Sequence, residues 1–505
     1  MDRPNLHLPR WHTRGPGQIS GTQRAMRGTF TYASASVVQR AIGFLLLPIY
    51  ARVLTPSEYG EVSIVITIAA ATGAIFGLGL ETAVLRTLIT LADRPLERDR
   101  FLNTVGGFAL LAPTVLALAV AGPIGLIAQA AFGVPATTVA LGIIGSGLTA
   151  STVIVPFAVL RAEERLRDYL QISAVQAIAG ITLSFVLVVI LRWGVSGWIL
   201  ATALTAALTV LWGLVVLSHP WSRDVDTKYL TAALAFGLPI VPHALSHWAL
   251  AVSDRAILGL FVSASDIGLY YIAYQFTLPI TIISIAVAQS VQPLYARSVE
   301  SASMRTELAR VTTYQVLIVA FLVMAVALLG PPVIALVLPP SYIGATGLIA
   351  PIAIGIGFFG LYLIPMNVVT IISGRTRWVW LVTVTAAATN IGLNLLLIPR
   401  FGVFAAAVDT ALGYGALLLG VAVYMRTVSK ERLAFEWGRI AVGIVMIAGV
   451  TLVAYVTTPD GASALDLVIR GLAVIGVGVA MMATGLLPGI PGLGGTAAKS
   501  STPPA

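Results

Sequence analysis

The sequence contains no cysteine, which excludes a disulfide framework, a thiolate nucleophile and any cysteine-ligated metal site. Charge is scarce as well. Asp, Glu, Lys and Arg make up 10% of the 505 residues, against 58% hydrophobic residues and a mean hydropathy of +0.93. No soluble globule of this length needs such a balance, so water is not the main solvent of this chain. Strict alternation of apolar and polar residues is missing too, which excludes a β-barrel. The apolar runs are instead nearly unbroken, as from Phe108 to Ala121 and from Val442 to Val456. No short apolar core with a cleavage site precedes the first long run, so no cleaved signal peptide is expected. No metal-ligand cluster is legible, and no cofactor is expected.

What is present is a series of apolar segments, each long enough to cross a bilayer at roughly 20 residues per helix. The pattern predicts an all-α membrane protein of about fourteen transmembrane helices. The spans fall near 28–50, 61–83, 101–125, 137–160, 169–191, 195–217, 232–254, 267–289, 309–331, 345–372, 378–398, 402–424, 437–457 and 466–487. Residues 1–27 read as a polar cytoplasmic tail, and 488–505, rich in Gly, Pro, Ser and Thr, as a disordered one.

Charge then orients the spans, because Lys and Arg collect in cytoplasmic connections. Alternate connections hold Arg86, Arg94, Arg98 and Arg100, then Arg161, Arg165 and Arg167, then Arg223 and Lys228, and so on to Lys430 and Arg432. The opposite side holds only Arg52, Arg192, Arg255 and Arg400. Both termini are therefore expected in the cytoplasm, and the net charge of +9 follows from this bias. A contiguous basic patch for nucleic acid is missing, so nucleic-acid binding is not expected.

Two separated segments repeat at one offset of 208 residues. Leu54-Thr55-Pro56-Ser57-Glu58-Tyr59-Gly60 lies over Val262-Ser263-Ala264-Ser265-Asp266-Ile267-Gly268. Ile190-Leu191-Arg192-Trp193-Gly194-Val195 lies over Ile398-Pro399-Arg400-Phe401-Gly402-Val403, and Thr202-Ala203-Leu204 over Thr410-Ala411-Leu412. The offset spans six helices, an even number, so the halves share one orientation about an axis along the membrane normal. This predicts a six-helix bundle over 28–217, a cytoplasmic linker over 218–231, a second bundle over 232–424, and two further helices within 437–487. Facing bundles of this kind enclose a cavity that can open to either side.

The stretch from Phe236 to Phe276, with Asp254-Arg255 followed by Gly268 and Tyr270, resembles the seventh and eighth spans of polysaccharide-repeat-unit flippases. These belong to the multidrug/oligosaccharidyl-lipid/polysaccharide exporter superfamily. Leu45 to Gly60 resembles their first span and loop, and Asn390 to Gly402 their eleventh span; the similarity covers about residues 24–487. The resemblance implies a non-enzymatic secondary transporter in the cell inner membrane. It would move a polyprenyl-diphosphate-linked oligosaccharide from the inner to the outer leaflet without ATP, alongside membrane lipids and a glycan polymerase or glycosyltransferases. Two features depart from the family pattern: Ala405-Ala406-Ala407, where Gly-Ala-Ala is frequent, and Asp409, where a small apolar residue is usual. A lipid II-type, drug or metabolite exporter of the same fold stays open at this point, as does a membrane scaffold that transports nothing.

A diphosphate headgroup needs fixed cations in a wet cavity. Arg40 lies near the middle of span 1, and Tyr32, Ser36 and Arg40 at spacing four share a polar stripe expected to face the cavity. Arg255, Arg310 and Arg86 are further headgroup candidates, although positive-inside bias alone accounts for the last two. His243, His247 and Asp254 fall within about 40° of one another on span 7. Together with Asp409 they are the candidates for a coupling ion. For Asp254 and Arg255 a salt bridge between loops is the competing reading, and for Asp409 a contact to Arg400. Asn390 and Asn394 are expected to tie helices together. Pro239, Pro242, Pro279 and Pro365 are expected to bend spans. Enzymatic readings are disfavoured by the short outer loops, and GLGGTAAKS around Lys499 lacks both glycines of a phosphate loop, with Leu493 and Ala498 in their places.

Overall fold

The computed structural model describes residues 43–299, 301–458 and 463–487, all of it helix and short connection. Among these residues, twelve helices are long and apolar enough to cross a membrane. In chain order the helices are α1 (43–50), α2 (Pro56–Phe76), α3 (Leu80–Thr90), α4 (Pro95–Phe132), α5 (Ala136–Ala162), α6 (Leu166–Ile190) and α7 (Gly194–Leu217). They continue as α8 (Thr227–Phe261), α9 (Ala264–Arg297), α10 (Ala302–Val337), α11 (Pro340–Ser373), α12 (Val379–Thr427), α13 (Trp437–Thr457) and α14 (Ala464–Ala483). The chain is a multi-pass membrane protein; α5, α6, α7, α12 and α13 begin and end within a few residues of the sequence expectation, whereas α4, α8, α9 and α10 run beyond theirs by more than a turn at one or both ends.

Local chemistry fixes several boundaries. The repeated segment is a helix start in both copies. Thr55 accepts from the Glu58 N–H at 3.3 Å while Glu58 Oε2 accepts from the Thr55 N–H at 2.8 Å. Ser263 likewise accepts from the Asp266 N–H at 3.2 Å and donates to its carboxylate at 2.7 Å. Side chains here satisfy N–H groups that an uncapped helix leaves orphaned. Gly194 and Gly402, also at the repeat offset, hold φ of +55° and +59°. The left-handed region suits glycine because it has no Cβ. At Gly402 the turn divides α12 into two arms, separating the expected eleventh and twelfth spans.

The second span differs from expectation. It starts at Pro56 and is broken at Leu78 and Gly79, with φ of +49° and +65°, so α3 is a separate short helix. The break lies against α8: a Cβ on Gly237 would sit 2.5 Å from the Leu78 carbonyl oxygen.

Alternate connections meet at opposite ends of the molecule. At one end Arg98 pairs with Glu163, Arg161 with Glu81, and Arg100 with Asp224 at 3.0 Å. At the other, Tyr342 donates to the Leu54 carbonyl at 2.6 Å. There the two repeat copies also cross: a Cβ on Gly60 would overlap the Ala264 carbonyl, and one on Gly268 the Pro56 carbonyl. Each of these pairs is the other displaced by the repeat offset, as a two-fold relation between the halves requires.

The last two helices lie against α10. Gly443 of α13 accommodates Leu317, and Gly478 of α14 faces the Phe321 ring. Arg470 of α14 is 1% exposed and donates to the Thr458 hydroxyl and carbonyl at 2.9 and 2.5 Å and to the Leu328 carbonyl at 3.3 Å. A buried cation shared among oxygens in this way fastens the hairpin to the second half.

Candidate functional site

The first half is hollow. One chamber of about 550 Å³ runs between α2, α3, α5, α7 and the middle of α8, lined largely by Ala, Gly and Ile residues with Glu81, Ser146 and Thr149. A second, of about 470 Å³, lies between α1, α6, α7 and α9. Both reach Thr149 and Thr202, so they adjoin. The second chamber is walled by Tyr50, Tyr59, Trp198 and Tyr271 and carries Gln176, Ser184 and Gln275. The Tyr50 hydroxyl and Ser184 Oγ are 2.6 Å apart, and the Tyr50 and Trp198 rings meet edge to face at 4.9 Å. α8 and α9 of the second half border these chambers, held by Trp248 donating to the Thr67 carbonyl at 3.0 Å and by Phe44 against Phe276.

The equivalent space in the second half is filled. Arg255 is 5% exposed, with its guanidinium 4.4 Å from the Tyr274 ring centre and 5.9 Å from that of Tyr270. Tyr270 donates to Asp254, and its oxygen lies 3.0 Å from Thr410 Oγ1. Tyr414 is buried beside them, edge on to Phe359. The offset of 208 places Leu47, Val62, Ile66 and Ala206 at the positions of Arg255, Tyr270, Tyr274 and Tyr414. Leu47 and Ala206 line the second chamber and Ile66 the first, so smaller side chains at three of these matched positions leave the first half open where the second is packed.

A polar network continues from this packed region. Asp409 is fully buried and accepts from Asn390 Nδ2 at 3.1 Å, and Asn394 Nδ2 donates to Asn390 Oδ1 at 3.3 Å. Asp409 Oδ1 and Asn394 Oδ1 are both buried without a hydrogen-bond partner. Such groups cost free energy unless something satisfies them.

The candidates from the sequence separate into five groups. Tyr32, Ser36 and Arg40 lie outside the described residues. Asp254 and Arg255 do not bridge loops; they sit within α8 in the interior of the second half, because Tyr270 and Tyr274 supply the contacts a buried pair needs. Asp409 meets Asn390 rather than Arg400, since the Gly402 turn folds the second arm of α12 back on the first. His243 and His247 are exposed and flank Ala244, which lines the first chamber. Arg86 is exposed and lies over the Phe236 ring at 4.9 Å, and Arg310 is 3.8 Å from Glu436. Neither lines a chamber.

The linker is bound to the first half. His219 Nε2 is 3.1 Å from Asn103 Oδ1, which also accepts from the Ser222 N–H, and Thr104 Oγ1 accepts from the Asp226 N–H at 2.9 Å. Burial pushes the His219 pKa below its ordinary value, with the Asp99 carboxylate opposing in part.

Sequence reasoning missed the aromatic and amide lining of the second chamber, although Gln176, Gly180 and Ser184 at spacing four on α6 form a legible small and polar stripe. It also missed Arg470, a buried charge inside the last span.

A family model described as "Polysaccharide biosynthesis protein" matches residues 49–346. No curated protein matches the chain. Among solved structures, the lipid II flippase MurJ in an inward closed conformation is similar at a TM-score of 0.64 and 14% identity, covering 88% of this chain and 99% of that one. An inward-facing multidrug resistance MATE family transporter gives 0.58 at 14% identity, with 80% and 94% covered. A MOP superfamily transporter from Pyrococcus furiosus gives 0.54 at 15% identity, with 81% and 96% covered. At such identities the likeness is one of fold.

Proposed function

Since the chain belongs to the polysaccharide biosynthesis protein family, we propose that it is a flippase that moves a polyprenyl-diphosphate-linked oligosaccharide from the inner to the outer leaflet of the cytoplasmic membrane. The observation that carries this reading is the pair of adjoining chambers within the first half, of about 550 and 470 Å³ and bordered by helices of the second half. Two like-oriented bundles that meet across such a space can expose it to one side and then the other. The end where Gly60 and Gly268 cross is closed. By positive-inside bias it is the outer end, with both termini cytoplasmic.

Within this reading Arg40, with Ser36 and Tyr32, contacts the diphosphate from the expected first span, and Arg86 and Arg310 draw the anionic headgroup to the cytoplasmic mouth. The buried network of the second half supplies the coupling. Asp409 Oδ1 and Asn394 Oδ1 are two orphaned oxygens that a proton or a small cation would satisfy. Asp254 and the histidines at 243 and 247 lie on the adjacent face of α8. Glycan polymerases and glycosyltransferases are the expected partners, because they make and consume the translocated lipid.

The test is reconstitution of the full chain with a fluorescent polyprenyl-diphosphate oligosaccharide. Leaflet exchange that depends on an imposed ion gradient or membrane potential is expected. Inactivity under every imposed gradient would refute transport and favour a scaffold.

A further inference from the structure

The second chamber has a composition of its own, and we infer that it is a sugar-binding subsite for uncharged residues of the glycan. This rests on the flippase reading. Among the described residues no Asp, Glu, Lys or Arg lines it, although Glu81 does line the adjoining chamber. Its walls are aromatic faces, with Trp198 packed edge to face on Tyr50 and on Tyr59 at 4.9 and 6.0 Å. Pyranose rings present an apolar face of C–H bonds with hydroxyls at the rim, and aromatic planes fit such a face without needing charge.

The polar groups match that rim. Gln176 makes no hydrogen bond among the described residues, and Gln275 uses only Nε2, towards the Tyr271 hydroxyl at 3.2 Å, leaving its carbonyl oxygen available. An amide donates and accepts at once, as a sugar hydroxyl does. A carboxylate-bearing sugar would have to be desolvated here with no described cation to replace its water, which costs several kcal/mol. The chamber therefore discriminates by exclusion of charge as well as by fit. The packed second half cannot do the same work: Tyr414 fills the position that Ala206 leaves open in the first.

The experiment begins with the glycolipid that accumulates in cells lacking the gene, identified by mass spectrometry. Accumulation of a polyprenyl-diphosphate glycan built of neutral sugars is expected. A glycan made of uronic or other acidic sugars would overturn the subsite while leaving the flippase reading intact, and no accumulating glycolipid would overturn that reading and the subsite with it. Complementation then uses the full chain carrying Gln176→Ala with Gln275→Ala, or Trp198→Ala, each at wild-type membrane level. Surface glycan is expected to fall about 10-fold or more for each, in line with loss of paired hydrogen bonds to substrate. Should Trp198→Ala fail to reach the membrane, the double amide variant decides, since it removes no wall of the chamber. Full export by the double amide variant would overturn the subsite.

Discussion

Replacing Gly268 by alanine adds one methyl group at the crossing of α2 and α9. That carbon would overlap the Pro56 carbonyl oxygen and lie 2.7 Å from its carbonyl carbon and 3.1 Å from the Gly60 nitrogen, where ordinary contact begins near 3.4 Å. Backbone atoms cannot rotate away as a side chain end can, so the two helices must part. Overpacking of this kind costs about 1–3 kcal/mol. The cost falls on the conformation closed at this end and is relieved when the halves separate. A bias of about 2 kcal/mol changes the ratio of closed to open forms roughly 30-fold. The chain lacks cysteine, so a single Thr202→Cys reporter between the two chambers gives a clean readout. In that background Gly268→Ala is expected to speed labelling by an impermeant maleimide, added from the side of the crossing, by about 10-fold or more. Glycan export should fall with it. Gly60→Ala should behave alike, because a Cβ there would lie 2.7 Å from the Ala264 carbonyl carbon. Unchanged labelling with wild-type export in both variants would show that this crossing is no gate.

Asp409→Asn keeps a partner for Asn390 and removes the charge, so gradient-driven export is expected to drop about 10-fold or more without loss of membrane level; an undiminished gradient response would exclude Asp409 from coupling. Arg470→Ala leaves the Thr458 and Leu328 carbonyls buried without donors, at about 1–3 kcal/mol each. The thermal midpoint in detergent should fall, and Arg470→Lys should restore only part of it because an ammonium lacks the planar fork. His219 has its pKa below the ordinary 6.5, so the neutral ring is the form that the linker stabilises. Its contribution is fully present above that ordinary value and is lost as pH falls through the lowered one. Protease cleavage within Ser218 to Asp226 should therefore rise between pH 7.5 and pH 5, and His219→Asn should flatten that rise; equal cleavage at both values would refute it.

Much of the architecture is written in one dimension. Apolar runs mark the spans because hydrocarbon leaves a helix no alternative way to satisfy its backbone. The repeat at 208 residues is equally local: Thr55 and Glu58 cap a helix for the same reason as Ser263 and Asp266, and Gly194 and Gly402 occupy the same backbone region. What the string of residues left undecided is where two segments meet. Asp409 could have turned to Arg400 or to Asn390, and only the fold at Gly402 selects Asn390. Asp254 and Arg255 read as a bridge at the rim, yet they lie in the packed interior, because Tyr270 and Tyr274 come round from α9 to receive them. The chambers themselves are lined at three matched positions, where the first half carries Leu47, Ile66 and Ala206. No single one of these residues signals a cavity. Empty volume is a property of what neighbouring helices fail to fill, and that is set only when the helices are packed together.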